Sequence, residues 1–375
     1  MKALIITDSF KGSLTASQVA NQMAKAVKIV FPNASCTITP FSDGGEGAIE
    51  VLKNEAEGKI IDCYSTDSLK RSLTAPYFLF EDSQSAWIEL SQTAGLIQLE
   101  EHEKNPLKTS TWGTGIMILH ALNQGCKTIY LGIGGSATHD LGAGIISALG
   151  GRFYDQKNKI LEPIGANLSK IERIDLRNLD PRVKNVNWVI ACDVQNIITG
   201  PRGAAHTYAK QKGATKKIIE ELEIGSNNFA RVVKKQFDKN ILNLPGGGAA
   251  GGVSAGLFSL FNAKIEKGFE LLAQRINLEE QIKKMDIVLT GEGHFDEQST
   301  FGKLPLKVAE LSCRYKIKTF LFAGKTSIKN LPDLPCLKIY QTSPATVNLS
   351  DAMKNASHNL ESKVIEVLLR FKKQI

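Results

Sequence analysis

The chain begins with an apolar run from Ala3 to Thr7, then a polar glycine turn, then Val19, Met23, Ala26, Val27 and Val30 at helical spacing. The run predicts a buried strand and the spacing an amphipathic helix, with Thr15 and Gln18 placed as a capping box at its start. Strand, turn and helix in that order open a doubly wound sheet. The same alternation returns late in the chain, where strands at Asp286–Thr290 and Thr319–Ala323 flank a helical stretch from Leu304 to Arg314.

The middle of the chain reads differently. Two short alternating runs, Tyr77–Phe80 and Ala86–Leu90, joined by the polar Glu81–Ser85, predict a hairpin. After it come a helix near Gly113–Asn123, a buried strand Thr128–Ile133, a helix through Ile145 and Ile146, and a strand Trp188–Cys192. Lys216–Lys239 predicts one long helix with a solvated, charged face. The expected fold class is α/β, with a central α/β domain at 71–284 inserted into a terminal α/β domain of residues 1–70 and 285–375.

A length of 375 residues suits about two domains. With 42% hydrophobic and 22% charged residues the chain is an ordinary folded protein, neither disordered nor fibrous. The net charge of +8 is dispersed, and no basic stripe interleaves with aromatics, so nucleic acid is not an expected partner whereas an anionic substrate is. Six cysteines without a Cys-x-x-Cys pair indicate neither zinc nor disulfides, and are expected to be small buried hydrophobes. The first apolar run is too short for a signal segment and no run reaches ~18 apolar residues, so no membrane association and a cytoplasmic location are expected.

Chemistry gathers where strands end. Asp8-Ser9-Phe10-Lys11-Gly12-Ser13 lies between the first strand and first helix, where backbone amides and Lys11 favour an anion; a plain turn with a surface lysine is the alternative. Ser42-Asp43-Gly44-Gly45-Glu46-Gly47 carries two carboxylates among three glycines, more than a surface turn requires. Gly132-Ile133-Gly134-Gly135-Ser136-Ala137-Thr138 ends a strand and offers glycine backbone and two hydroxyls to a phosphate, without matching the Walker pattern. Asp193 follows the strand from Trp188, as a ligand-facing acid or as a turn cap. The glycines of Pro245–Gly252 precede an apolar helix and fit tight packing equally well. Gly291 to Lys303 concentrates Glu292, Asp296, Glu297, Ser299, Thr300 and Lys303 between a strand and a helix, the residue types that metal ligation and phosphoryl transfer need. His139, His206 and His294 lack the spacing of a zinc helix.

These blocks in their order resemble the bacterial glycerate kinase family, of the glycerate 2-kinase-like type. DSFKGSLTASQVA opens the chain, followed by FSDGGEG at 41–47, TSTWGTG at 109–115, GIGGSATHDLGAG at 132–144, ACDVQN at 191–196, GAAGG at 248–252, TGEGHFDEQSTFGK at 290–303, and FAGK ending at Lys325. The chain departs from the family pattern at His139 and Leu141, where Asn and Gly are usual, and at Ala209-Lys210-Gln211-Lys212-Gly213, where Gly-Pro-Gln-Lys-Gly is usual. Leu141 puts a branched side chain where the pattern allows a positive φ.

The resemblance implies a Rossmann-like terminal domain, a cleft between two domains, and ATP- and Mg²⁺-dependent phosphorylation of D-glycerate, to 2-phosphoglycerate or 3-phosphoglycerate. Asp193, and after it Asp296, would accept the hydroxyl proton. Asp43 and Glu292 would face the metal. Lys11, Ser13, Gly134, Gly135, Ser136, Thr138, Gly291, Gly293, Ser299 and Lys303 would hold phosphate or the substrate carboxylate. A non-catalytic, two-lobed sugar-acid binding protein is the alternative.

Overall fold

The computed structural model describes residues 1–10, 12–41, 47–296, 304–328, 333–344 and 346–374. Its strands run, in chain order, β1 Lys2–Thr7, β2 Ser35–Pro40, β3 Gly58–Thr66, β4 Ser72–Phe80, β5 Ser85–Glu89, β6 Thr128–Gly132 and β7 Arg152–Tyr154. They continue with β8 Arg173–Asp175, β9 Asn187–Ala191, β10 Lys264–Glu266, β11 Ile287–Phe295, β12 Lys318–Thr326 and β13 Leu337–Gln341. The chain divides into two compact units, one of Met1–Asp43 with Ala273–Ile375, the other of Gly44–Leu272.

The first unit is a parallel sheet in the order β13-β12-β11-β1-β2. Its middle strands are apolar on both faces, as parallel strands covered by helices must be. On one face Ala3, Ile5, Leu289 and Phe322 pack with Val19, Met23 and Val27 of the helix Ala16–Val30 and with Leu360, Val364 and Val367 of the helix Ala356–Lys372. The helix Leu304–Arg314 packs against β1, β11 and β12. The capping box forms: Thr15 Oγ1 accepts from Gln18 N and Gln18 Oε1 accepts from Thr15 N. From β1 the chain crosses to β2, whereas from β11 it crosses to β12 in the opposite direction. The strand order therefore reverses between β1 and β11, and a crevice opens beyond their carboxyl ends.

The second unit holds a mixed sheet in the order β10-β9-β6-β5-β4-β3. β4 pairs antiparallel with β3 and β5, so the expected hairpin forms, while β5, β6, β9 and β10 run parallel. A short ribbon of β7 and β8 stands beside it. Ile88, Ile129, Leu131 and Ile190 share one buried cluster with Met117 and Ile118 of the helix Trp112–Asn123 and with Phe229 and Val233 of the helix Lys216–Phe237.

The limits of the units differ from those expected at 70/71 and 284/285. β3 pairs with β4 along its whole length, which carries residues 58–66 into the second unit, and Leu278 and Ile282 are buried in a short helix adjoining Leu304–Arg314 in the first. The cysteines are free thiols, but only Cys63, Cys126 and Cys192 are buried; Cys36, Cys313 and Cys336 are half-buried, contrary to the expectation for all six. No helix among the described residues is long and apolar enough to cross a membrane.

Candidate active site

The first unit has a cavity of about 790 Å³ at the β1/β11 switch point. Asp8 and Ser9 reach it from the end of β1, and Glu292, Gly293, His294 and Asp296 from β11. Asp8 N donates to Gly291 O at 3.0 Å, which ties the turn after β1 to β11, and Asp8 Oδ1 accepts from Ser9 N at 2.6 Å. Ser13 lines the same cavity, its Oγ donating to Phe10 O at 3.0 Å. Phe10, Val347, Leu349 and Met353 form an apolar wall. One cavity thus brings carboxylates and an apolar wall together.

β11 extends further than expected. Gly291–Phe295 is strand, not loop, because β12 keeps pairing with it as far as Phe295↔Thr326. Gly291 is buried, and a Cβ there would come within 2.5 Å of Phe322 O, so its glycine is accounted for by strand packing. Glu292 is 5% exposed; Asp296 is half-buried, with His294 Nδ1 at 3.9 Å from its Oδ2. Lys11, Asp43, Ser299 and Lys303, together with Glu297 and Thr300, lie outside the described residues.

In the second unit the register sets a row of strand ends side by side: Glu89 of β5 opposite Gly132 of β6, and Gly132 opposite Ala191 of β9. Everything that follows these residues leaves the same carboxyl edge of the sheet. Asp193 stands there, half-buried, two residues beyond β9. The segment after β6 turns through Gly135 at φ 67°, with Gly134 half-buried and Gly135 exposed. It is fixed on one side by Leu96 N donating to Gly135 O at 2.8 Å and Ala137 N to Ala94 O at 2.7 Å. On another side it rests on the Gly248–Gly252 segment, since a Cβ on Gly251 would come within 2.3 Å of Thr138 O. Those glycines serve close packing.

Beyond Thr138 the segment is locked. The Asp140 carboxylate accepts from Thr111 N and Thr111 Oγ1, each at 2.8 Å, and from Gly142 N and Gly144 N, each at 3.1 Å. Its burial pushes the pKa up, and these donors oppose the rise. His139 Nε2 lies 2.9 Å from Ser226 Oγ; burial first, then the Lys212 charge, pull its pKa down to about 3, so it is a neutral core residue. Leu141 adopts the positive φ that its position demands, at 51°, with its N donating to Gly251 O at 3.1 Å and its side chain buried. Packing holds a conformation that a branched residue seldom takes.

Two charged residues at this edge are not among the expected site residues. Glu89, 1% exposed, accepts from Ile49 N at 2.8 Å at the start of the helix Ala48–Glu55 and so anchors the chain just after Gly47. Burial raises its pKa, against the amides of Ile49, Gly47 and Ala48 and the Gln92 side chain. An acid closing a wholly buried strand was the available clue. Lys212, 2% exposed, reaches the glycine segment from the other side; the Lys-Gly shared with the family pattern at 212–213 is the signal that could have found it.

An acid-bearing cavity at the switch point of a parallel sheet, and a glycine segment with acids and a cation at the edge of a second, are parts that an α/β phosphotransferase uses. The chain belongs to the glycerate kinase family, whose model matches residues 3–372, and is an enzyme that phosphorylates an alcohol group. It is 36% identical over 365 residues to a glycerate kinase of Bacillus cereus, covering 96% of this chain and 95% of that one. It is 37% identical over 324 residues to a glycerate 2-kinase of Escherichia coli, covering 86% and 85%. A crystal structure of a protein assigned as glycerate kinase 2 from Salmonella typhimurium LT2 superposes with a TM-score of 0.82 at 36% identity, covering 100% of both chains. Membership of an enzyme family displaces the non-catalytic alternative.

Proposed function

We propose that the chain transfers the γ-phosphoryl group of ATP to D-glycerate, giving 2-phosphoglycerate. The observation that carries this reading is the switch-point cavity, which joins Asp8, Glu292 and Asp296 to an apolar wall in one space. The likeness to the Escherichia coli glycerate 2-kinase supports the 2-position over the 3-position. Among the described residues no three His, Cys, Asp or Glu side chains cluster as a metal site. One or two carboxylates are nevertheless what Mg²⁺ usually takes from a protein when phosphates and water complete its shell, and the oxygen donors of this cavity fit that pattern. Glu292 would hold the ion, as would Asp43; bound, it would neutralise charge on the transferring phosphate.

The protein's own part is to position and to move one proton. Asp193, half-buried at the end of β9, is the base proposed for the glycerate hydroxyl, with Asp296 as second candidate. Gly134, Gly135, Ser136 and Thr138 are proposed to hold the substrate's anionic group, and Lys11, Ser13, Gly293, Ser299 and Lys303 the phosphates. Gly291 leaves that set, since strand packing explains it. Incubation of the purified protein with ATP, Mg²⁺ and D-glycerate, followed by phosphorus NMR, tests the reading. Formation of 2-phosphoglycerate is expected; 3-phosphoglycerate would move the acceptor hydroxyl, and absence of any phosphoglycerate would overturn the proposal.

A further inference from the structure

Lys212 ends a turn of 3₁₀ helix, Lys210–Lys212, and Gly213 follows at φ 86°, where a Cβ would come within 2.1 Å of Lys104 O. Only glycine fits there, and this tight turn sends the lysine inward, not to solvent. Its Nζ donates to Ser136 Oγ at 2.9 Å and to Thr138 O at 2.6 Å. Both partners are neutral. An ammonium carries three N–H donors, and the third has no hydrogen-bond acceptor among the described residues. Beside it Thr138 Oγ1, on a residue 0% exposed, also lacks a partner. Buried polar groups are nearly always satisfied, so a lysine whose protonated form has a spare donor, on a segment with an unpartnered hydroxyl, marks a place for an acceptor the protein does not supply.

We propose that Lys212 is the positioning residue of an anion site at the carboxyl edge of the second unit's sheet, where it orients Ser136 and the Gly134–Thr138 segment to receive an anionic oxygen, carboxylate or phosphoryl. By occupying a lone pair of Ser136 Oγ, the ammonium turns the hydroxyl hydrogen away from itself, making Ser136 a donor toward the site. Gly134 and Gly135, the more exposed residues of the segment, leave the approach open. The inference rests on the reading that this segment binds substrate, and gives the bound group its countercharge.

The electrostatic setting agrees. Burial draws the Lys212 pKa down to about 7, against the attraction of Asp140, and His139 on the same segment is held neutral. A bound anion favours the ammonium, so at pH 8 the protein takes up a proton as the anion binds. In the free protein the folded lysine titrates near 7 and the unfolded one near ~10.4. Between these values the unfolded state binds more protons, so stability rises with pH across that window, and below it the cost of the buried charge is present in full.

Calorimetric titration at pH 8 in two buffers of different ionisation enthalpy, with D-glycerate and with inorganic phosphate in separate runs, reads both affinity and proton uptake. The wild type is expected to take up a proton with whichever anion it binds, glycerate identifying a carboxylate site and phosphate a phosphoryl site. Lys212→Met is expected to bind that anion at least ~10-fold more weakly, without proton uptake and without the rise of stability between pH 7 and ~10.4, and Lys212→Arg to recover part of the affinity. Should Lys212→Met not fold, Ser136→Ala decides: about tenfold weaker binding upholds the site, and unchanged binding removes it. Unchanged affinity and unchanged proton uptake in folded Lys212→Met would overturn the inference, even with glycerate phosphorylation intact. A wild type that takes up a proton with glycerate but makes no phosphoglycerate would instead overturn the proposed function and leave the anion site standing.

Discussion

The carboxyl edges of the two sheets carry similar residue types and hold them in opposite ways. Around the first unit's cavity Glu292 is buried, but Asp8 and Asp296 are half-buried and the space beside them stays open. At the second unit's edge, Glu89, Asp140 and Lys212 are enclosed and tied to backbone groups on neighbouring segments. An open rim can exchange a large ligand with little change in the protein. A closed one fixes a few atoms accurately and leaves room only for a small group, and its charges then belong to the stability of the fold as much as to chemistry.

That contrast breaks first, if it breaks, at Asp140. Asp140→Ala leaves four donors around the removed carboxylate, and since each buried unsatisfied group costs about 1–3 kcal/mol, a loss of at least ~3 kcal/mol in urea unfolding is expected. A loss well under 1 kcal/mol would mean that the edge is not locked by this residue. Asp193→Asn, at the same edge but half-buried, is expected to lower kcat by about 10²-fold, or ~2.7 kcal/mol of barrier, with the melting temperature nearly unchanged. Near-normal turnover there transfers the role of base to Asp296. On the open rim, Asp296→Asn is expected to reduce kcat/KM by about tenfold while leaving stability nearly untouched, since a partly solvated acid holds little of the fold together. A cooperative loss of stability in that variant would show the rim to be as tightly built as the other edge. The smallest change is expected far from both: Lys234→Met breaks an exposed pair with Asp238 and should leave melting temperature and turnover as they were.

Much of this was legible from local pattern. The helix Leu304–Arg314, the capping box at Thr15 and the hairpin of β4 and β5 are set by nearby residues, and sequence reasoning reaches them because the forces are local. Local pattern ends β11 five residues early, since glycines and acids in Gly291–Phe295 suggest a loop while pairing with β12 makes them strand. Asp193 and the Gly134–Thr138 segment were visible because strand ends in α/β sheets are where ligands bind. Lys212 and Glu89 were not, because their importance comes from burial, and burial is decided by segments far away in the chain. For Lys212 the deciding features are a positive φ at Gly213 and the carbonyl of Lys104, neither of which the motif displays.

The register of the terminal sheet bears on how the molecule is made. Ala3 of β1 pairs with Cys36 of β2 on one side and with Ile287 of β11 on the other, so a chain made from its N-terminus has an apolar strand with one neighbour at hand and the other not yet synthesised. The whole of Gly44–Leu272 emerges in between, and its strands find their partners within that stretch. The edge of β1 that faces β11 therefore stays unpaired until the second unit has been made, and is a surface open to mispairing during translation.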